Sequence, residues 1–237
     1  MDEESGTGAA TRERIVRAAA DLLAAGGREA VVTRSVAAAA GVQAPTIYRQ
    51  FGDMAGLLDA VASHGFAAYL REKTTRTRAE DPVEDLRRGW DLHVDFGLAN
   101  PAFYILMYGN PRPGVEPTAA REAAEILRGL VQRVAEAGCL RIEVEDAARM
   151  IHAASSGVVL SLIATDFGHR DLSLSSRARE VILAAVTTTP TPGSSCQRVA
   201  NRAVALKAVL PNKGDELTAA ELGLLQEWLD RLSRVPA

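Results

Sequence analysis

Residues 36–51, VAAAAGVQAPTIYRQF, constrain this chain more than any other stretch. An alanine run meets Gly41, and four residues later Pro45 leads about two turns of helix-compatible sequence. Glycine tolerates the positive φ that ends a helix, and a proline at a helix start forfeits an N–H that had no partner there. The stretch therefore predicts two short helices joined by a sharp turn. On the first, Val36, Ala37 and Ala40 face inward, with Ala37 small where two helices cross closely. Val42 and Ile47 then plug the angle between them. At about 100° per residue, Ile47 and Phe51 share the buried side of the second helix. Pro45, Thr46, Tyr48 and Arg49 fall on its other side and offer a flat apolar ring, a hydroxyl, a phenol and a guanidinium. Such groups hydrogen-bond phosphate oxygens and base edges, or pack on a thymine methyl. From the pattern alone an ordinary helical corner is the competing reading, because Ala-x-x-x-Gly arises in any alanine-rich chain.

The rest of the 237 residues also reads as helix. Apolar content of 47% with only 5% aromatic residues reflects alanine, and the β-branched and aromatic runs of sheet proteins are scarce. The expected fold class is all-α. Residues 1–10 are acidic and small and predict a disordered arm. A helix follows from Thr11, with Ile15, Ala18, Ala19, Leu22 and Leu23 as its apolar stripe and Ala25–Gly27 as its stop. Asp53 caps a long helix to about Thr75 that carries Leu57, Leu58, Val61 and Phe66. Further helices are expected over 83–99, 101–109, 116–137, 143–165 and 174–188. A Pro/Thr/Ser linker at 187–195 and two amphipathic segments, 196–209 and 216–233, complete the chain.

The net charge of −3 is unlike that of a nucleic-acid binder, but charge acts locally. Between residues 11 and 52, Arg12, Arg14, Arg17, Arg28, Arg34 and Arg49 face only Glu13, Asp21 and Glu29, a local surplus of +3. The overall excess of arginine over lysine, 24 to 3, speaks to coding bias more than to function. Cys139 and Cys196 have no metal-ligand spacing, and the N-terminus is unlike a secretory signal. The most apolar run, 150–164, is too short to span a bilayer and contains His152. A cytoplasmic, reduced protein with no cofactor, no bound metal and no membrane contact is expected.

Residues 11–62, TRERIVRAAADLLAAGG through VTRSVAAAAGVQAPTIYRQFGDMAGLLDAVA, resemble the DNA-binding domain of TetR-type (tetracycline-repressor family) transcriptional regulators. The resemblance spans the leading helix, the Ala-to-Gly turn, the Pro-Thr-x-Tyr helix and the Phe-Gly-Asp junction. It implies an N-terminal three-helix helix-turn-helix domain followed by a larger helical bundle for regulation and dimerisation. The implied boundaries are 1–10 for the arm, 11–56 for the DNA-binding domain, 57–189 for the ligand-binding and dimerisation domain, and 190–237 for the linker and extra helices, with helix 53–75 joining the first two domains. Family contact positions fall on Thr33, Arg34, Gln43, Ala44, Pro45, Thr46, Tyr48 and Arg49. Of these, Arg34 is suited to a guanine edge, and Thr46 and Tyr48 to phosphate anchorage. Where the family usually carries a phosphate-contacting lysine at the start of the fourth helix, this chain has Met54.

The same resemblance implies that a homodimer binds a near-palindromic double-stranded DNA operator and that a small apolar or amphipathic effector releases it. The alternative is a DNA-binding dimer whose large domain is only a scaffold. Candidate effector contacts are Trp90, His93, Phe103, Met107, Tyr108 and His152, although an aromatic and Met stripe at helical spacing is equally a plain core. The helix over 143–165 is nearly apolar all round. With 174–188 it offers Ala154, Ser155, Gly157, Val158, Ile182 and Ala185 as candidate dimer contacts.

Other motifs do not survive. The Asp-Phe-Gly triplets at 95–97 and 166–168 and the His-Arg-Asp at 169–171 lack the order and the strands of a kinase. Asp91 and His93, two apart on a helix, point to different sides and cannot share a metal. No nucleophile elbow, P-loop or His-Glu-x-x-His is present, so no enzyme activity is expected.

Overall fold

A computed structural model describes residues 2–73, 79–109, 111, 113–188, 195–210 and 217–233. The helices are α1 (Asp2–Ala30), α2 (Thr33–Ala40), α3 (Ala44–Phe51), α4 (Met54–Lys73), α5 (Pro82–Ala99), α6 (Pro101–Tyr108), α7 (Thr118–Glu136), α8 (Val144–Ala164), α9 (Ser173–Val186), α10 (Ser195–Val209) and α11 (Ala219–Ser233). A 3₁₀ turn covers Phe167–His169. Among the described residues there is no strand, only an isolated antiparallel bridge between Leu140 and Thr187. The fold is all-α, as the composition requires, and the helix bounds follow the apolar periodicity closely.

Three expectations need correction. The segment expected as a disordered arm is helical from Asp2 onward, because its acidic start suits the positive end of a helix and no proline interrupts it. The Ala25–Gly27 stop is a kink: Gly27 adopts φ 67°, ψ −167°, and one more helical turn follows to Ala30. Finally, α8 is 21 residues long, so by length and composition alone it could cross a membrane. Its packing says what it does here. Ala147, Ile151, Ser155, Val158, Val159 and Leu162 are buried in the protein. The expected linker at 187–195 lies mostly outside the described residues.

Compactness divides the chain differently from the expected boundary at residue 57. One unit comprises residues 1–76 and 95–123, the other 77–94 and 124–237. In the first, Ile15, Ala19, Leu23, Val36, Ile47, Leu57 and Val61 form one core. The short helix α6 belongs to it as well, because Ala102, Phe103 and Leu106 pack against that core. Gly65 on α4 makes this possible: a Cβ there would lie 2.3–3.0 Å from three ring atoms of Phe103. Phe96, at the end of α5, meets Phe66 edge-on at 5.5 Å and Tyr69 at 5.1 Å, joining α4 to an aromatic cluster with Tyr104 and Tyr108. Asp59 closes the arrangement by capping α7, accepting hydrogen bonds from the Thr118 N–H (2.8 Å) and hydroxyl (2.7 Å).

The second unit is built on α7, α8 and α9 with the first part of α5. The bridge at Leu140 and Thr187 ties the start of α8 to the end of α9, so these two helices run antiparallel. Asp85, buried in α5, accepts hydrogen bonds from the Ala79 N–H (2.7 Å) and from Arg133. Burial alone would raise its pKa, but these two donors hold it below the usual carboxylate range. The pair α10–α11 attaches to the same unit through Gln132, which donates to the Ala208 carbonyl, and through Lys207, which meets both Glu143 and Asp230.

Candidate nucleic-acid interface

Between α2 and α3 the chain folds as its residues dictate. Gly41 takes the left-handed conformation (φ 63°, ψ 40°) and ends α2, with its N–H bonded to the Ala38 carbonyl and the Val42 N–H bonded back to Ala37. This paired arrangement satisfies carbonyls the helix end would otherwise leave open. Gln43 is extended and caps α3, with Pro45 in the first turn. Val36, Ala40 and Ile47 are buried, and Ala37 and Val42 pack half-buried against the same core, so Ile47 fills the angle fully and Val42 in part.

The opposite face is open. Arg34, Gln43, Pro45, Tyr48 and Arg49 are exposed, and Thr33, Ala44 and Thr46 are half-buried beside them. All eight predicted contact residues thus lie on α2, α3 or the turn between them. Tyr48 is 46% exposed, and its hydroxyl lies 3.0 Å from that of Thr33. The pair links the start of α2 to the middle of α3 and sets the direction of the phenol before any partner arrives. Which hydroxyl donates is open, so each can turn a lone pair or a proton outward.

The local basic surplus is only partly available to a partner. Arg14 donates to the Ala40 carbonyl (3.0 Å) at the end of α2, and Arg12 stacks 4.8 Å over the Phe51 ring. Arg17 pairs with Glu13 one turn away. Arg14 and Arg12 thus buttress the two short helices and Arg17 is paired within α1, leaving Arg34 and Arg49 on the exposed face. Sequence reading did not find this role, because Arg14 and Ala40 are 26 residues apart and no local pattern marks the contact. Met54 packs partly buried against the same core, which accounts for an apolar residue at the start of α4.

The six candidate effector residues divide between the two units. Phe103, Met107 and Tyr108 belong to the first unit, and Trp90, His93 and His152 to the second. Phe103 packs against the helix-turn-helix core, where α6 leans on α4 at Gly65. Trp90 is buried, and its indole N–H donates to Ser175 Oγ at 3.0 Å, a contact that ties α5 to α9. His93 and His152 do come together, with ring centroids 6.4 Å apart and Ser156 Oγ 3.5 Å from His152 Nδ1. Burial and then the neighbouring His152 push the pKa of His93 down to about 4, so it is held as a neutral imidazole.

The candidate dimer residues divide by exposure. Ser155 and Val158 are buried on the inward side of α8, turned away from the side it leaves exposed. Ala154 and Ile182 are half-buried, while Gly157 and Ala185 are exposed. The outward side of α8 carries Met150, Ala153, Gly157 and Ser161, and that of α9 carries Val181, Ala184 and Ala185. Val181 is 69% exposed.

Comparison with known proteins agrees with this geometry. The sequence model for bacterial regulatory proteins of the tetR family matches residues 15–61, and the model for the tetracyclin repressor-like C-terminal domain matches 86–186. No curated protein matches the sequence. Among solved structures, the chain is similar to the fatty acid degradation regulator FadR from Bacillus halodurans, with 21% identity and a TM-score of 0.55, covering 73% of this chain and 94% of that one. It is similar to a protein of unknown function from Rhodococcus sp. RHA1, with 20% identity and a TM-score of 0.59, covering 75% and 96%. It is also similar to the multidrug binding protein EbrR complexed with imidazole, with 22% identity and a TM-score of 0.54, covering 76% and 92%. At these identities the likeness is one of fold.

Proposed function

Because the chain belongs to the TetR family of bacterial regulatory proteins, whose members regulate transcription by binding DNA, we propose that it is a homodimeric repressor of a near-palindromic operator, released by a small apolar or amphipathic molecule. The observation that carries this reading is the α2–α3 face, where Arg34, Tyr48 and Arg49 stand exposed on a turn locked by Gly41 and by the Thr33–Tyr48 contact. Arg34 reads a guanine edge, a contact worth about 1–3 kcal/mol in discrimination. Thr46 and Tyr48 fix the register on phosphates. The exposed sides of α8 and α9 supply the two-fold contact that presents two such faces to successive half-sites. An effector acts by preferring one of two conformations, and its effect is bounded by that preference. The fold shared with EbrR, a multidrug binding protein, supports a small organic effector, and the neutral His93 ring beside His152 marks a polar point in the second unit for one.

A test is to select genomic fragments with the purified protein and titrate the best one across salt concentrations. The expected result is a two-fold-related site, a negative log–log salt slope, and a loss of sequence preference in Arg34→Ala. Equal affinity of wild type for the selected fragment and random DNA refutes the reading.

The second reading, a DNA-binding dimer without an effector, is favoured by Trp90 and Phe103, both committed to internal packing. It predicts that no apolar compound changes operator affinity and that His93→Phe leaves that affinity unaltered.

A further inference from the structure

The family match ends at residue 186, yet the chain continues into α10 and α11. Leu222, Leu225 and Leu229 of α11 pack with Ala203 of α10 and with Leu210, just beyond its end, and make a small core. Gln132, Glu143 and Lys207 hold the pair to its unit. What remains is more apolar than a finished surface should be. Leu224, Trp228 and Leu232 recur every fourth residue, so they share one side of α11, and they are 47%, 52% and 51% exposed. On α10, Val199 and Leu206, seven residues apart on one stripe, are 48% and 44% exposed.

We propose that this surface is a self-association site, at which the α10–α11 pair of one copy packs on the same pair of a second copy. The area argues for it. The five half-exposed side chains leave about 450 Å² of surface in water, the size of the largest patch on a typical monomer, which is often a functional one. A standard interface takes about 800 Å² from each partner, a little over half of it apolar, so the patch supplies what one partner must bring. The occupant follows from symmetry, since a two-fold contact needs only one self-complementary patch. Two helices cannot bury both of their apolar sides, whereas four can. Arg202 and the Glu227–Arg231 ion pair, all exposed, provide the polar rim that such contacts carry. Trp228 is the anchor. This site is separate from the α8–α9 contact and does not depend on it.

The test is sedimentation velocity of the full chain over a wide concentration range, with Trp228→Glu, Leu206→Glu and, for the α8–α9 surface, Val181→Glu. Each position is exposed, and far-UV circular dichroism checks that each variant is folded. The expected result is that Trp228→Glu and Leu206→Glu each remove a step of assembly or weaken it about thirtyfold or more, in wild type and in the Val181→Glu background alike. In wild type, acrylamide quenching of the exposed Trp228 falls as concentration rises, while the buried Trp90 stays dark to the quencher. If both variants sediment like their parents at every concentration and quenching is independent of concentration, the proposal is overturned. If Val181→Glu alone abolishes all assembly, the α8–α9 contact stands and this one falls.

Discussion

Replacing His93 with glutamine removes a side chain that the second unit holds uncharged. Its ordinary pKa of 6.5 is pushed down to about 4, first by burial and then by His152, whose ring lies 6.4 Å away. The folded-state value therefore lies below the unfolded one. Between the two, the unfolded chain binds more protons than the folded chain, so stability rises with pH across this window and is lost as pH falls from about 6.5 toward 4. The full shift corresponds to about 3 kcal/mol. At about pH 5 roughly 2 kcal/mol of that has been lost, which for a chain of this size lowers Tm by about 4–8 °C. The assay is a set of urea unfolding curves for wild type and His93→Gln from neutral pH to about pH 5, read as the difference between the two slopes. Carboxylates titrate in both proteins and cancel in that difference. Wild type is expected to lose about 2 kcal/mol more than the variant over this range. If the two proteins fall in parallel, His93 is protonated in the folded state and the argument from burial is wrong.

Asp59→Ala removes the acceptor for two hydrogen bonds that cap α7 and is expected to cost about 2 kcal/mol in thermal or urea unfolding. Asp59→Asn, which keeps one acceptor, should recover about half. Gly65→Ala puts a methyl against the Phe103 ring and should cost about 1–3 kcal/mol. In a double-mutant cycle with Phe103→Leu much of that cost should disappear, whereas strict additivity would mean α6 moves freely on α4. For Met54→Lys the expected outcome is tighter operator binding with a salt slope steeper by about 0.9. The lysine stem can keep the packing of Met54 while its amine reaches solvent; an unchanged slope places this residue away from DNA.

Periodicity was enough to place nearly every helix. Ala, Leu and Val at three- and four-residue spacing mark the buried sides of α1, α4 and α5 without knowledge of what covers them. The α2–α3 turn was equally legible, because Gly41 and Pro45 act through their own backbones and need no distant partner. A short helix with one buried side also leaves only one side to present, so the exposure of Pro45, Tyr48 and Arg49 was legible, whereas the full set of eight candidate contacts came from the family resemblance. Tertiary structure decided what spacing cannot carry. Trp90, His93, Phe103 and His152 look alike as an apolar and aromatic pattern. Only packing shows that Trp90 serves Ser175, that Phe103 rests on Gly65, and that the two histidines meet. Similarly, Ser155 and Gly157 sit two residues apart in one apolar helix, yet one is buried and the other is exposed. A helix with apolar residues on all sides gives no clue to which side finds neighbours. That choice belongs to the elements packed against it, and they come from distant parts of the chain.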